Sequence, residues 1–292
     1  MTSIVIPAHN EARVIGRLLD SLLADSSDDE IDIVVVCNGC TDDTAQVAGA
    51  RGARVRVVET PIPSKHAALR AGDEHARGFP RLYVDADVVI AGADVRALTD
   101  PLLTASPKDS PAILATAPER ELPLAACAWR VRVYYQVWQR LPAVRDGLFG
   151  RGVIAVSEAG HARIAALPPL MADDLAASLA FAPDERLVVG TAAVVIQPPR
   201  TWSDLIRRRI RAAVSTAQLE GHQRPEAEAG PAVASARTSK ADLRAMLRKQ
   251  PRLFAGVVVF VAAAVIARRG ARKAIRAQDF GTWLRDESSR QD

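Results

Sequence analysis

The chain has 292 residues, 49% hydrophobic and 25% charged, which fits one large globular domain with an appendage and excludes a disordered or fibrous chain. Aromatic residues make up only 4%, so a surface built on stacked bases is not expected, and nucleic acid is not expected as a partner. The net charge of +4 is unevenly placed: residues 1–236 carry 25 basic and 29 acidic side chains, whereas residues 237–292 carry 13 and 5, a basic tail suited to an anionic surface.

The N-terminus opens directly on the strand-like "SIVIP" (3–7), with Glu11 soon after, so a folded, cytoplasmic start is expected rather than a leader. Short β-branched runs then alternate with amphipathic segments. "SIVIP", "IDIVVV" (31–36), "RVRVVE" (54–59), "RLYVDAD" (81–87) and "AILATA" (112–117) read as strands; "EARVIGRLLDSLLA" (11–24), "TDDTAQVAGARG" (41–52) and "KHAALRAGDEHARG" (65–78) read as helices. That alternation predicts βαβ units and an α/β, doubly wound, mainly parallel sheet with helices on both faces. Further on come a helix over 124–141, a glycine-rich turn "GLFGRG" (147–152), the strand "VIAVS", a helix starting near Ala172, a strand pair at "RLVVG" and "AAVVIQ", and a helix over 202–219. Residues 221–236 have linker composition, and residues 237–292 form a basic, partly apolar helical tail. Within that tail the apolar run 253–267 would span about 22 Å as a helix, short of a ~30 Å hydrocarbon core. A buried helix or an in-plane membrane helix fits that length better than a span.

Ligands of doubly wound sheets bind at the carboxyl ends of strands, and here those ends carry unusual polar residues. "PAHNEA" (7–12) follows the first strand, "CNGCTDDT" (37–44) the second, "PIPSKHAALRAG" (61–72) the third, and Asp85 and Asp87 close the fourth. A dinucleotide site would need a G-x-G-x-x-G after the first strand, and "PAHNEA" is not that loop. Cys37 and Cys40 form an isolated C-x-x-C without a second pair, so reduced cytosolic thiols are expected rather than a zinc or redox site. Residues i and i+2 of a strand share a face, so Asp85 and Asp87 would place two anions side by side, a conflict that Mg²⁺ or Mn²⁺ with phosphate ligands resolves. A strand that stops at Val84, leaving both acids solvated in a turn, is the other reading.

The four motifs in this order, I-P-A-H-N-E, V-C-N-G-C-T-D-D-T, K-H-A-A-L-R-A-G and D-A-D, resemble the family 2 glycosyltransferases of the GT-A fold. The resemblance continues more weakly through "GLFGRGVIAVSEAG" and "MADDL" (171–175) and ends near residue 220. It implies a GT-A domain over 1–220, with a nucleotide-sugar-binding half (1–117) and an acceptor and catalytic half (118–220). It further implies that Pro7, His9, Glu11, Asn38, Lys65, Asp85 and Asp87 bind a nucleotide-diphospho-sugar, with Asp87 and Asp85 holding the metal. Asp174, with Asp173 beside it, takes the place of the family's catalytic base in an inverting transfer. The chain departs from the family in its neutral Asn38, in Cys37 and Cys40 where Asp and Ser are usual, in Arg70 where Asn is common, and in having no Q-x-x-R-W string. In the region of that string it carries "RRRIR", from which Arg207, Arg208 and Arg211 are candidates for the leaving diphosphate. Gly150 and Gly152 would let the backbone approach the acceptor, a sugar or a lipid-linked or envelope-glycan precursor. The tail's basic residues fit peripheral or anchored association with the cytoplasmic face of the plasma membrane through residues 253–276. A non-catalytic nucleotide-sugar-binding scaffold on the same fold is the alternative function.

Overall fold

The computed structural model of the chain describes residues 1–104, 112–167, 173–227 and 238–276. In chain order the elements are β1 (Thr2–Ala8), α1 (Ile15–Leu23), β2 (Ile31–Asn38), α2 (Thr44–Gly49), β3 (Val55–Thr60), α3 (Lys65–His75), β4 (Arg81–Val84), β5 (Val88–Val89), α4 (Gly92–Thr104) and β6 (Ala115–Glu121). They continue as α5 (Trp129–Trp138), α6 (Pro142–Asp146), β7 (Val153–Val156), α7 (Glu158–Ala165), α8 (Asp173–Leu179), β8 (Arg186–Ile196), α9 (Trp202–Ala227), α10 (Lys240–Lys249) and α11 (Phe254–Arg276). The chain divides into two compact units. One comprises Met1–Leu122, Leu148–Pro169 and Ala180–Ile196; the other comprises Pro123–Gly147, Leu170–Leu179 and Gln197–Asp292.

The first unit is built on one mixed sheet of eight strands in the order β3-β2-β1-β4-β7-β6-β8-β5. Strands β3, β2, β1 and β4 run parallel, as do β6 and β8, while β7 and β5 run antiparallel to their neighbours. Every residue of β2 is buried, which is why Ile33–Cys37 reads as a continuous apolar run and not as an alternating one. Its Ile33, Val35 and Cys37 share a core with Ile15, Leu18, Leu19 and Leu22 of α1 and with Val95 and Leu98 of α4. Val34 and Val36 point the other way, onto Ala68 of α3. Helices therefore cover both faces, as the strand and helix alternation predicts.

The second unit is helical: α11 packs on α5 and on α9, and α5 on α9. Ser239 caps α10 by accepting from the Asp242 N–H, and Asp242 returns the bond to the Ser239 N–H, a capping box that starts this helix two residues into the described tail.

Several expected elements differ. The strand expected over 81–87 stops at Val84, with Asp85–Asp87 in a turn before the two-residue strand β5. The strand expected at 112–117 runs from Ala115 to Glu121. The expected strand pair near 186–197 is the single strand β8, which passes Gly190 through a register shift opposite Pro118 and Glu119; a bulge absorbs the glycine without ending the strand. Helix α9 continues to Ala227, so the linker expected over 221–236 is helical for its first seven residues and otherwise lies outside the described residues. The helical stretch of that linker holds Gly221 and Pro225, which cost a helix interior about 1 and about 3 kcal/mol, so composition alone marks it as a linker. The expected halves, 1–117 and 118–220, are continuous in sequence, whereas the two compact units are interleaved.

Candidate functional site

Strands β2, β1 and β4 are parallel neighbours, so their carboxyl ends open on one edge of the sheet, and the loops that leave them are laced together by side chains. His9 Nδ1 lies 2.6 Å from the Asn38 carbonyl oxygen, and Asn38 Nδ2 donates to the Ala8 carbonyl at 2.9 Å. Asn10 sits at φ +54°, a left-handed conformation that Asn tolerates better than most residues. There its Oδ1 accepts from the Thr41 N–H at 2.7 Å. The Glu11 N–H donates to Thr44 Oγ1 at 2.8 Å, and Asp42 accepts from the N–H groups of Ala12 and Thr44 at 3.2 and 3.1 Å. Asp42 is thus the acid that fills the start of α2.

Between these loops Gly39 takes φ +58°, and a Cβ there would fall 2.9 Å from the Pro63 backbone nitrogen, so only glycine lets the second loop pass under the third. Asn38 is 2% exposed, and its Oδ1 is buried with no hydrogen-bond partner. Burial pushes the neighbouring Cys37 thiol up to about 12. It stays protonated at neutral pH, which disfavours it as a metal ligand or nucleophile; Cys37, Cys40 and Cys127 form no disulfide in the structure.

At the end of β4, Asp85 and Asp87 are half-buried and Ala86 between them is buried, so the two acids keep the alternation of a strand although the ladder has ended. Lys65, the first residue of α3, places Nζ 2.8 Å from Asp85 Oδ1. Ser64 accepts from the Ala67 N–H and so sets the start of that helix. The Asp85 N–H donates to the Gly152 carbonyl at 2.8 Å. Gly152 itself takes φ +66°, and a Cβ on it would lie 2.5 Å from Val88 Cγ1 and 3.4 Å from Asp85 Oδ2. The glycine loop is braced from β6: Arg120 donates to the carbonyls of Phe149 and Gly150, and the fully buried Arg151 donates to the Pro118 carbonyl.

The structure therefore gathers Pro7, His9, Glu11, Asn38, Lys65, Asp85, Asp87, Gly150 and Gly152 in the sheet-bearing unit. It places Asp173, Asp174, Arg207, Arg208 and Arg211 in the helical unit. Asp173 and Asp174 open α8, where Asp174 is exposed and its Oδ1 accepts from the Leu175 N–H at 2.8 Å. Met171 and Ala172 of "MADDL" lie outside the described residues. Arg207 is paired with Asp204 one turn earlier. Sequence reasoning missed the roles of Asn10, Thr44 and Arg120. Asn10 carried a usable signal, being an Asn two residues past the end of a strand; the other two depend on contacts made far along the chain.

Among the described residues no three His, Cys, Asp or Glu side chains form a complete metal-binding group. Asp85 and Asp87 offer carboxylate oxygens of the kind a hard divalent cation shares with water and ligand phosphates, not a closed structural metal site, while the Lys65 ammonium on Asp85 Oδ1 competes with a cation for that carboxylate.

Residues 3–107 match the family model described as glycosyl transferase family 2. A 4,4'-diaponeurosporenoate glycosyltransferase of Staphylococcus aureus is 37% identical over 97 residues, which is 32% of this chain and 25% of that protein. The chain thus spans about a quarter of the length of the curated relatives it matches. Among solved structures, a mannosyltransferase from Pyrobaculum calidifontis in complex with GDP-Man and Mn²⁺ superposes with a TM-score of 0.59 at 21% identity, covering 98% of this chain and 81% of that one. The fold is of the GT-A type.

Proposed function

We infer that this chain, a family 2 glycosyltransferase over residues 3–107, moves a sugar from a nucleotide-diphosphate donor to an acceptor hydroxyl, with a divalent cation and inversion at the anomeric carbon. The observation that carries the reading is the joining of Lys65, Asp85 and Gly152 at the end of β4, beside the interlocked loops after β1 and β2. This reading rests on hydrogen-bonding loops, a cation and two carboxylates sharing the sheet edge at which α/β folds commonly take ligands.

In this proposal Pro7, His9, Glu11 and Asn38 form the nucleoside end of the donor site. The buried, unpartnered Asn38 Oδ1 supplies an acceptor for an N–H of the base, and as a neutral amide it does so without charge. Asp85 and Asp87 would hold Mg²⁺ or Mn²⁺, which when bound offsets the charge gathering on the departing diphosphate. Lys65 adds a positive charge to the same diphosphate, and Asp85 keeps its ammonium in place. Arg207, Arg208 and Arg211 are the helical unit's candidates for diphosphate contact; of these Arg207 is already engaged by Asp204. Gly150 and Gly152 keep the loop free of side chains where the acceptor enters. Asp174, exposed at the start of α8, takes the proton from the attacking hydroxyl, with Asp173 beside it.

We assign the acceptor to lipid-linked or cell-envelope glycan precursors, because the helical unit carries an apolar helix that continues into a run of basic residues. The cytoplasmic face of the plasma membrane is the matching location.

A thermal-shift screen of UDP-, GDP- and dTDP-sugars with and without Mn²⁺ or Mg²⁺ tests this. At a donor concentration of about 100 Kd a ligand adds about 2.7 kcal/mol to the folded state, so at least one donor is expected to raise Tm, and only with metal. No shift with any donor contradicts the reading. A shift with no turnover in the unmodified protein, the same as in Asp174→Asn, supports the scaffold alternative.

A further inference from the structure

We propose that α11 docks the chain on the surface of an anionic phospholipid bilayer by its exposed face, lying in the interface and not crossing the hydrocarbon. One face of the helix is already committed to protein. Gly256 lies against α5 so closely that a Cβ would come 3.0 Å from Val137 Cγ2 and 3.1 Å from the Val133 carbonyl oxygen. Phe260 stacks on Tyr134 of α5 at 5.2 Å, and Gly270 meets Ile210 of α9, where a Cβ would fall 2.6 Å from Cδ1. Ala263, Ala267 and Ala271 complete this buried stripe.

The opposite face is apolar and open. Phe254, Val258, Val261 and Val265 follow one another at helical spacings of four, three and four residues, so they share one stripe, with exposures of 64%, 52%, 43% and 42%. Isolated exposed apolar side chains are ordinary in a folded protein, but a continuous stripe marks an interaction surface. Cations bracket it. Arg248, Lys249 and Arg252 precede it, and Arg268, Arg269, Arg272, Lys273 and Arg276 follow it, all of them exposed. Arg269, Arg272, Lys273 and Arg276 line an open hollow of about 500 Å³. Residues 243–276 hold nine basic side chains and no acidic one.

An apolar strip between two cationic ends is what the boundary of an anionic bilayer accepts: the strip enters the acyl edge and the cations meet phosphates. A second copy of this chain would bring nine further positive charges against the first, so like-charge repulsion disfavours it as the occupant. Crossing the bilayer is disfavoured by what α11 already touches. Helix α5, packed on its apolar half, carries the exposed Arg130 and Arg132, and α9, packed on its basic half, carries Arg207, Arg208, Arg209 and Arg211. A spanning α11 would pull α5 and its arginines into hydrocarbon, where they are strongly unfavourable.

The inference stands independently of the catalytic reading, since donor binding can fail while vesicle binding holds, and the reverse. It is tested by flotation of the full chain with phosphatidylcholine vesicles that contain or lack phosphatidylglycerol. Binding is expected to the anionic vesicles only, to weaken in high salt, and to be released by alkaline carbonate. Val258→Asp with Val261→Asp is expected to lower the vesicle partition by at least about tenfold, since two buried apolar contacts are lost, with the far-ultraviolet circular dichroism unchanged. Should that double variant fail to fold, Arg272→Gln with Lys273→Gln is expected to weaken binding to anionic vesicles by several-fold. Carbonate-resistant binding with residues 253–267 protected from protease would show a span and overturn the proposal. So would equal binding to neutral vesicles, unchanged binding by the variants, or a change of oligomeric state in place of vesicle release.

Discussion

At the scale of single residues, the candidate site depends on a few contacts that elementary chemistry makes intelligible. Lys65 and Asp85 both stood out in the sequence as candidates, Lys65 within K-H-A-A-L-R-A-G and Asp85 within D-A-D. Their pairing at 2.8 Å was not legible, because it joins the first residue of α3 to the loop after β4, 20 residues on. Away from that edge a second polar chain closes the sheet-bearing unit. Tyr83 donates its hydroxyl to Asp73 at 2.9 Å, so the His161 Nδ1–H donates to Tyr83 Oη at 2.8 Å, and Arg81 pairs with Asp73 at 2.8 Å. Burial raises the Tyr83 hydroxyl, with Asp73 adding to the effect. Burial also lowers the His161 imidazole below its ordinary value of 6.5; Asp73 and Glu158 oppose this and Arg81 reinforces it. A base whose folded value is depressed binds more protons when unfolded, so stability rises with pH through this range and is lost as pH falls below about 6.5. Urea unfolding between pH 7.5 and 5.5 is expected to show that loss, and His161→Phe, which keeps the ring contact with Phe79 without the titration, is expected to lose less. An identical slope in both proteins would remove His161 as the cause.

At the scale of elements, what could be read from local periodicity was read closely, and what depended on distant partners was not. β1, β2 and β3 carry enough β-branched residues to declare themselves, and α1 shows its buried face in Ile15, Leu18, Leu19 and Leu22. β5 consists of two residues that owe their strand character to Ile196 and Val195, more than a hundred positions later, and no local pattern could have marked them. The same distance explains β8, whose Gly190 looks like a break until its parallel partner β6 is in place. The D-A-D segment shows the limit most directly. It continues the burial alternation of β4 but has no ladder, so the two readings of the sequence, strand and turn, each describe part of it. Gly152 is where this turn leans on the glycine loop. Gly152→Ala would force a side chain into a left-handed backbone and onto Val88, a combination that costs roughly 1–3 kcal/mol. Denaturant unfolding should show that loss, along with weaker nucleotide binding because Asp85 is displaced. Unchanged stability would mean that the loop shifts freely and does not support Asp85.

At the scale of the whole molecule, the mildly acidic residues 1–236 and the strongly basic residues 237–292 were visible at once from charge alone. The motifs at the strand ends were also visible, since each sits in a loop leaving its own strand. The interleaving of the two compact units was not, because each segment's membership is decided by packing partners that the local pattern does not name. In the proposed function Asp85 and Asp87 form a metal site that is incomplete without a nucleotide diphosphate. Two carboxylates alone hold a hard cation weakly, and phosphate oxygens complete its shell. Electron paramagnetic resonance of free Mn²⁺ measures this directly. The free-ion signal is expected to stay nearly unchanged when protein alone is added. It should fall when UDP or GDP is present, beyond the loss caused by the nucleotide itself, and this extra loss should disappear in Asp87→Asn. An equal extra loss in Asp87→Asn, or none with any nucleoside diphosphate in the unmodified protein, would contradict the account.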